Sequence, residues 1–147
     1  MNPSISVLLE HKGSTVFTVS PNITIAEAVQ EMNRHRVGSV VVMEGAQLAG
    51  IFTERDVLTR VVAMDLDPKK HTVAEVMTRK VLAVSLETTI DEAIEIFTKN
   101  RCRHLPVVVD GRVTGLISIG DTSRWMAEAH RHEAEQLKQY IAGGYPP

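Results

Sequence analysis

The stretch Gly115-Leu116-Ile117-Ser118-Ile119-Gly120-Asp121 decides the reading of this chain because it occurs twice. Gly50-Ile51-Phe52-Thr53-Glu54-Arg55-Asp56 stands sixty-five residues earlier. Each copy runs from a glycine through an apolar strand end to a hydroxyl residue, then two spacers, then Asp. A strand that ends in Ser or Thr and leads into a helix places a hydroxyl and free backbone N–H groups at the helix N-terminus. Such a place favours anions, phosphate above all. The Asp three residues on sits in the same first turn and can accept two hydrogen bonds, as a ribose diol offers. The same Ser/Thr-x-x-Asp spacing is also a helix-capping pattern that needs no ligand. Two copies at one offset inside a longer repeat shift the weight towards a ligand.

That longer repeat aligns residues 19–58 with 84–123 without a gap, and its identities include Val19/Val84, Ser20/Ser85, Thr24/Thr89, Glu27/Glu92, Ala28/Ala93, Arg36/Arg101 and Val42/Val107. Periods of this kind mark internal duplication. Within each unit the pattern is strand, helix, strand, strand, helix. Phe17-Thr18-Val19 and Val81-Leu82-Ala83-Val84 read as first strands. Thr24 with Glu27, and Thr89 with Glu92, form capping boxes. Ile25, Ala28, Val29 and Met32, matched by Ile90, Ala93, Ile94 and Phe97, form one apolar helix face. Val40 to Met43 and Leu105 to Val109 read as buried core strands, and Asp110-Gly111 as a hairpin turn of positive φ. The return strands, Leu48–Phe52 and Val113–Ile117, lead into second helices, the first running to about Met64. Asp65 to Lys70 breaks that helix, and Val73 to Thr78 is a short helical turn.

The fold class expected is therefore α/β (α+β), with two pseudo-twofold-related β-α-β-β-α units packed face to face. One such unit covers only part of its apolar surface, so the two should share a body with two related clefts. The first unit with its lead-in spans 1–66, and the second with its connector 67–127. A helical extension and tail, 128–147, ends at the Gly143-Gly144 stop signal before Tyr145-Pro146-Pro147. The lead-in, through Ile5, Val7, Leu8 and Leu9, is a short helix or strap on the core.

The bulk properties exclude several classes. At 147 residues, 44% hydrophobic and 23% charged, the chain has ordinary globular composition. A net charge of −2 gives no general affinity for nucleic acid or anionic membrane. No apolar run approaches the ~20 residues of a bilayer span, and a signal-peptide core is missing, so the expected compartment is the cytoplasm. A single cysteine, Cys102, fits a reducing environment.

These residues carry a resemblance. Gly50 to Asp56, Glu75-Val76-Met77-Thr78, Arg103-His104-Leu105-Pro106-Val107 and Gly115 to Asp121 together resemble a tandem pair of cystathionine-β-synthase (CBS) domains, a Bateman module, over about residues 5 to 127. The resemblance implies the β-α-β-β-α unit already read from the pattern. It also implies homodimers shaped as a flat disc of four units, and clefts that bind adenosyl ligands: AMP first, with ATP, ADP, S-adenosylmethionine and NAD(H) as other members. By position, it gives Asp121 the ribose hydroxyls of a second site and Ser118 the sugar or phosphate. Lys80 and Val81 border the adenine there, and Arg103, His104, Leu105 and Pro106 line the same cleft. In the first site Asp56 and Thr53 take the motif roles. Phe17 and Thr18 form the adenine border, Gly38, Ser39 and Val40 the cleft strand, and Arg55 an added phosphate ligand. The copies differ: Pro106 stands opposite Val41, Arg103-His104 opposite Gly38-Ser39, and Gly120 opposite Arg55. The two sites are thus unequal, and the second is favoured for AMP.

Other constellations are weaker. Of six histidines, His130 and His132 have the wrong helical spacing for a shared metal and read as solvated. Cys102 aligns with Val37 before an apolar strand, as a small core residue rather than a nucleophile. The expectation is a regulatory module, not an enzyme. It binds adenine nucleotide as ligand rather than as catalytic cofactor and signals through its oligomer or an effector protein, with no nucleic-acid or membrane partner. A ligand-free interaction scaffold and a nucleotide hydrolase are the alternatives.

Overall fold

The computed structural model describes residues 2–144. Helix α1 (Ile5–Lys12) precedes the first unit, which comprises β1 (Thr18–Val19), α2 (Ile25–His35), β2 (Ser39–Glu44), β3 (Gln47–Thr53) and α3 (Glu54–Asp56). A π-wound stretch, Val57–Val62, continues α3. The connector holds α4 (Val73–Val76). The second unit follows with α5 (Ile90–Asn100), β4 (His104–Val109), β5 (Arg112–Ser118) and α6 (Ile119–Gln139). A further π-wound turn, Tyr140–Gly144, extends α6. The stop signal is thus the end of the described helix, and Tyr145 to Pro147 lie outside the described residues.

Local chemistry explains the elements. Thr24 and Thr89 both form the reciprocal boxes that their spacing predicts, accepting from the backbone N–H of Glu27 at 3.1 Å and of Glu92 at 3.0 Å. Each such cap contributes about 1 kcal/mol. The Asp110-Gly111 turn has φ of 50° and 77°, as a two-residue hairpin demands. In both hairpins the register slips at the same repeat position, between Val42 and Met43 and between Val107 and Val108.

One expected strand is nearly absent. In the first unit β1 runs parallel to β2, and the Val41 N–H donates to the Phe17 carbonyl at 3.0 Å. In the second unit the residue equivalent to Val41 is Pro106, which has no N–H to give Leu82. Proline removes one ladder bond. The predicted strand Val81–Val84 contracts to a single bridge between Val84 and Val107, and residues 81–83 form no ladder.

The lead-ins are exchanged between units. Ile5, Leu8 and Leu9 of α1 are buried in the core of the second unit, among Val84, Ile90, Phe97, Leu105 and Ile117. Val73, Val76 and Met77 of the connector are buried in the core of the first, among Ile25, Met32, Val40 and Phe52. The backbone repeats the exchange: Ile90 N–H donates to Pro3 at 2.9 Å, and Ile25 N–H to His71 at 3.0 Å. Each buried Leu, Ile or Val contributes about 2 kcal/mol, so neither unit has a complete core without the segment that precedes the other. The repeated glycines mark where these segments cross. A Cβ on Gly50 would lie 2.5 Å from the Thr78 carbonyl oxygen, and one on Gly115 2.9 Å from Leu9 Cδ1. Trp125 of α6 meets the His11 ring edge-on at 5.0 Å, which fixes α1 from its other side.

Candidate functional site

Face-to-face packing sets the motif of one unit against the lead-in of the other. A cleft of about 790 Å3 opens where the Thr53-Asp56 motif meets Lys80, Val81 and Leu82 of the connector and Asn100 to His104 of the second unit. Its volume lies within the ~300–1,000 Å3 of small-molecule sites. Thr53 caps the motif helix: its hydroxyl accepts from the Asp56 N–H at 3.1 Å, and Asp56 Oδ2 accepts from the Thr53 N–H at 3.0 Å. The Thr78 hydroxyl donates to Asp56 Oδ1 at 3.1 Å. A cation, Arg60, comes only to 3.7 Å of Asp56. The capping role and a carboxylate facing a cleft therefore coexist in one residue.

Three chain segments bring cations to this cleft: Arg55 on the motif helix, Lys80 on the connector, and Arg101 and Arg103 between α5 and β4. Arg101 ends α5 in the left-handed region at φ 51°, which turns the chain into the cleft loop. His104 is half-buried, and burial holds its imidazole below the ordinary value, outweighing the nearby carboxylates of Glu54 and Asp121. Cys102 also lines the cleft and packs against the second core. Burial pushes its thiol up, away from the reactive thiolate.

The second motif is engaged differently. Asp121, 6% exposed, accepts from the Ser118 N–H at 2.8 Å and from Lys12 Nζ at 2.7 Å on Oδ2, and from Arg124 at 2.6 Å on Oδ1. Lys12 Nζ also donates to the Leu116 carbonyl at 2.6 Å. Burial alone would raise the carboxyl, but the Lys12 bond and the Ser118 N–H together hold it below its ordinary range. Phe17, the counterpart of Leu82, stacks on His35, the counterpart of Asn100, with ring centroids 3.8 Å apart.

This arrangement regroups the residues predicted from sequence. Lys80, Val81, Arg103 and His104 share a cleft with Thr53, Arg55 and Asp56, not with Ser118 and Asp121. Packing between the units causes the exchange, because the first motif helix faces the strand entrance of the second unit. Leu105 and Pro106 are fully buried and contribute backbone rather than a lining surface. Val40 is likewise core, and Ser39 is buried opposite Thr53 in the β2–β3 ladder. The Gly38 carbonyl accepts from the Glu54 N–H at 2.9 Å. Thr18 is exposed on β1. Sequence reasoning missed Thr78, Leu82, Asn100 and Arg101 as lining residues. Thr78 closes the quoted Glu75-Val76-Met77-Thr78 piece, and Arg101 repeats Arg36, so both carried a signal.

The comparisons agree with this architecture. The CBS domain model matches residues 13–63 and 73–128. The chain is 36% identical over 151 residues to the Arabidopsis thaliana CBS domain-containing protein CBSX3, mitochondrial, covering 97% of this chain and 73% of that protein. The crystal structure of the CBS-domain containing protein ATU1752 from Agrobacterium tumefaciens superposes with a TM-score of 0.80 at 37% identity, over 84% of this chain and 98% of that one. The CBS domain pair of protein MJ0100, solved with 5′-methylthioadenosine and S-adenosyl-L-methionine, superposes with a TM-score of 0.78 at 25% identity, over 88% of this chain and 99% of that one. The chain belongs to the CBS domain family, as a pair of CBS domains forming a regulatory module. No helix among the described residues is long and apolar enough to cross a membrane.

Proposed function

We propose that this CBS pair is a non-enzymatic sensor that binds one adenine nucleotide per chain in the cleft headed by Asp56. The observation that carries the reading is the meeting of a capped Thr53-x-x-Asp56 motif with Val81, Arg103 and His104 in one cleft of about 790 Å3. Asp56 takes the ribose hydroxyls, Val81 and Leu82 give an apolar border for the base, and the cations receive phosphate. The adenosyl ligands of the MJ0100 pair support the ligand class. The second motif instead serves as a clasp for α1, because two cations already hold Asp121.

The output we propose is a change in a homodimer, read by an effector protein. Leu58, Val62 and Met64 stand 64%, 66% and 66% exposed on the motif-helix side of the first unit. The second unit has an apolar groove between α5 and α6 bearing Ile94, Phe97 and Met126. A ligand moves such an equilibrium only by its differential affinity for two states. The test is calorimetric titration of nucleotide-free protein with AMP, ADP, ATP, NAD(H) and S-adenosylmethionine, with mass measured before and after. Saturation near one site per chain by an adenosyl ligand supports the reading. Two equal sites would contradict the clasp, and no binding by folded protein would favour an interaction scaffold.

A further inference from the structure

The cleft headed by Asp56 has a charge pattern that its shape does not require. Arg55, Lys80, Arg101 and Arg103 all line it, and all four are exposed at its rim. Among the described residues, none of the four makes an ion pair. Two carboxylates share the lining, Glu54 and Asp56, so four cations stand there against two anions, and none of the four pairs with either carboxylate. Asp56 accepts from the Thr53 N–H and the Thr78 hydroxyl. The Glu54 carboxyl lies 3.1 Å from where a Cβ on Gly38 would stand, and its charge reaches His104. An excess of like charges raises the local positive potential and attracts a polyanion. By the repeat offset the counterpart positions are Gly120, Thr15, Arg36 and Gly38, which carry one cation where this cleft carries four.

We infer that this cleft selects adenosine bearing a di- or triphosphate chain over AMP, and over uncharged or cationic adenosyl compounds such as 5′-methylthioadenosine and S-adenosylmethionine. The inference rests on the adenosine reading above and assigns its phosphate end. The cations come from three separate segments, so a chain of two or three phosphates can engage more of them than a single phosphate can. Arginine forks suit phosphate oxygens, and such charge-assisted bonds are stronger than neutral ones. A sulfonium cation meets the same four charges as repulsion.

The experiment is titration of the nucleotide-free full chain with ATP, ADP, AMP, adenosine, S-adenosylmethionine and inorganic tripolyphosphate at two salt concentrations. Arg101→Gln/Arg103→Gln is measured in parallel. We expect ATP or ADP to bind on the order of tenfold or more tighter than AMP, with the steepest loss on adding salt. The double variant should lower polyphosphate affinity on the order of tenfold or more while leaving adenosine affinity unchanged. Both arginines are exposed, so melting temperature should not move, and a folded variant keeps the result interpretable. AMP equal to ATP, or S-adenosylmethionine the tightest ligand, overturns the polyphosphate selection and leaves the adenosine reading standing. Tripolyphosphate binding as tightly as ATP, with adenosine unbound, overturns the adenosine reading while the anion site stands. Binding by none of the ligands overturns both.

Discussion

The two motif aspartates share sequence context, capping geometry and burial, yet one faces a cleft and the other holds a strap. Asp56 has a hydroxyl partner in Thr78 and a cation no nearer than 3.7 Å. Asp121 has Lys12 at 2.7 Å and Arg124 at 2.6 Å. The difference comes from what lies across from each motif. The connector crosses the first and leaves the entrance at Val81 and Leu82 unladdered, because Pro106 has no donor. Helix α1 crosses the second with a lysine in its last turn, and Phe17 stacks on His35 at the entrance. Duplication makes two similar motifs, and the environment of each then decides whether it remains available to a ligand.

The largest expected effect breaks the comparison at its open side. Asp56→Ala should weaken nucleotide binding by about 1.5–3 kcal/mol, the scale of hydrogen bonds to a charged group, and cost about 1 kcal/mol of stability through the lost cap. Asp121→Ala should do the reverse: nucleotide affinity unchanged, and a loss of about 1–3 kcal/mol in chemical denaturation, because Lys12 and Arg124 lose their shared acceptor. Titration and denaturation of both variants decide this, and equal effects on ligand binding would abolish the asymmetry.

Acid sharpens the same contrast. The Asp121 carboxyl lies below its ordinary 3.8 in the folded chain, so its stabilisation is present above that value and is lost as pH falls through the lower folded one. Lys12→Ala should flatten this acid limb in equilibrium unfolding, and should cost about 1 kcal/mol near neutrality, since Lys12 is partly exposed. An unchanged limb would mean that Ser118 and Arg124 hold the carboxylate without Lys12.

His104 gives a smaller effect of opposite sign. Its folded value lies below the ordinary 6.5, so the unfolded chain takes the proton first and stability falls as pH drops through that region. A bound phosphate chain favours the charged imidazole. Nucleotide binding should therefore take up a proton and tighten below about pH 6.5, by at most about tenfold per pH unit for one group. His104→Gln should abolish this proton uptake by the protein, leaving only the pH dependence of the nucleotide's own terminal phosphate, whose second pKa is about 6.

The smallest effect tests the entrance. Pro106→Val restores the N–H that Val41 uses in the first unit. It should add one ladder bond to Leu82, worth about 0.5–1.5 kcal/mol, and protect the new amide from hydrogen exchange. If nucleotide affinity falls as protection appears, the missing donor keeps the cleft open.

The sequence determined much of this by itself. The duplication, the capping boxes at Thr24 and Thr89, the Asp110-Gly111 turn and the motif positions follow from short-range rules that act within a few residues, and each is present in the structure. Even the shortened strand before Val84 was legible in principle, since Pro106 stood visibly opposite Val41. Only the tertiary structure decided which motif faces which strand entrance. Repeat alignment pairs Asp121 with Arg103 because they share a unit, whereas packing about a pseudo-twofold axis pairs Asp56 with Arg103 across units. The Lys12–Asp121 contact, more than a hundred residues apart in sequence, is of the same kind. Local pattern records backbone preference and hydrophobic period. Long-range pairing depends on which buried faces meet, and here each core is completed by the segment that precedes the other unit.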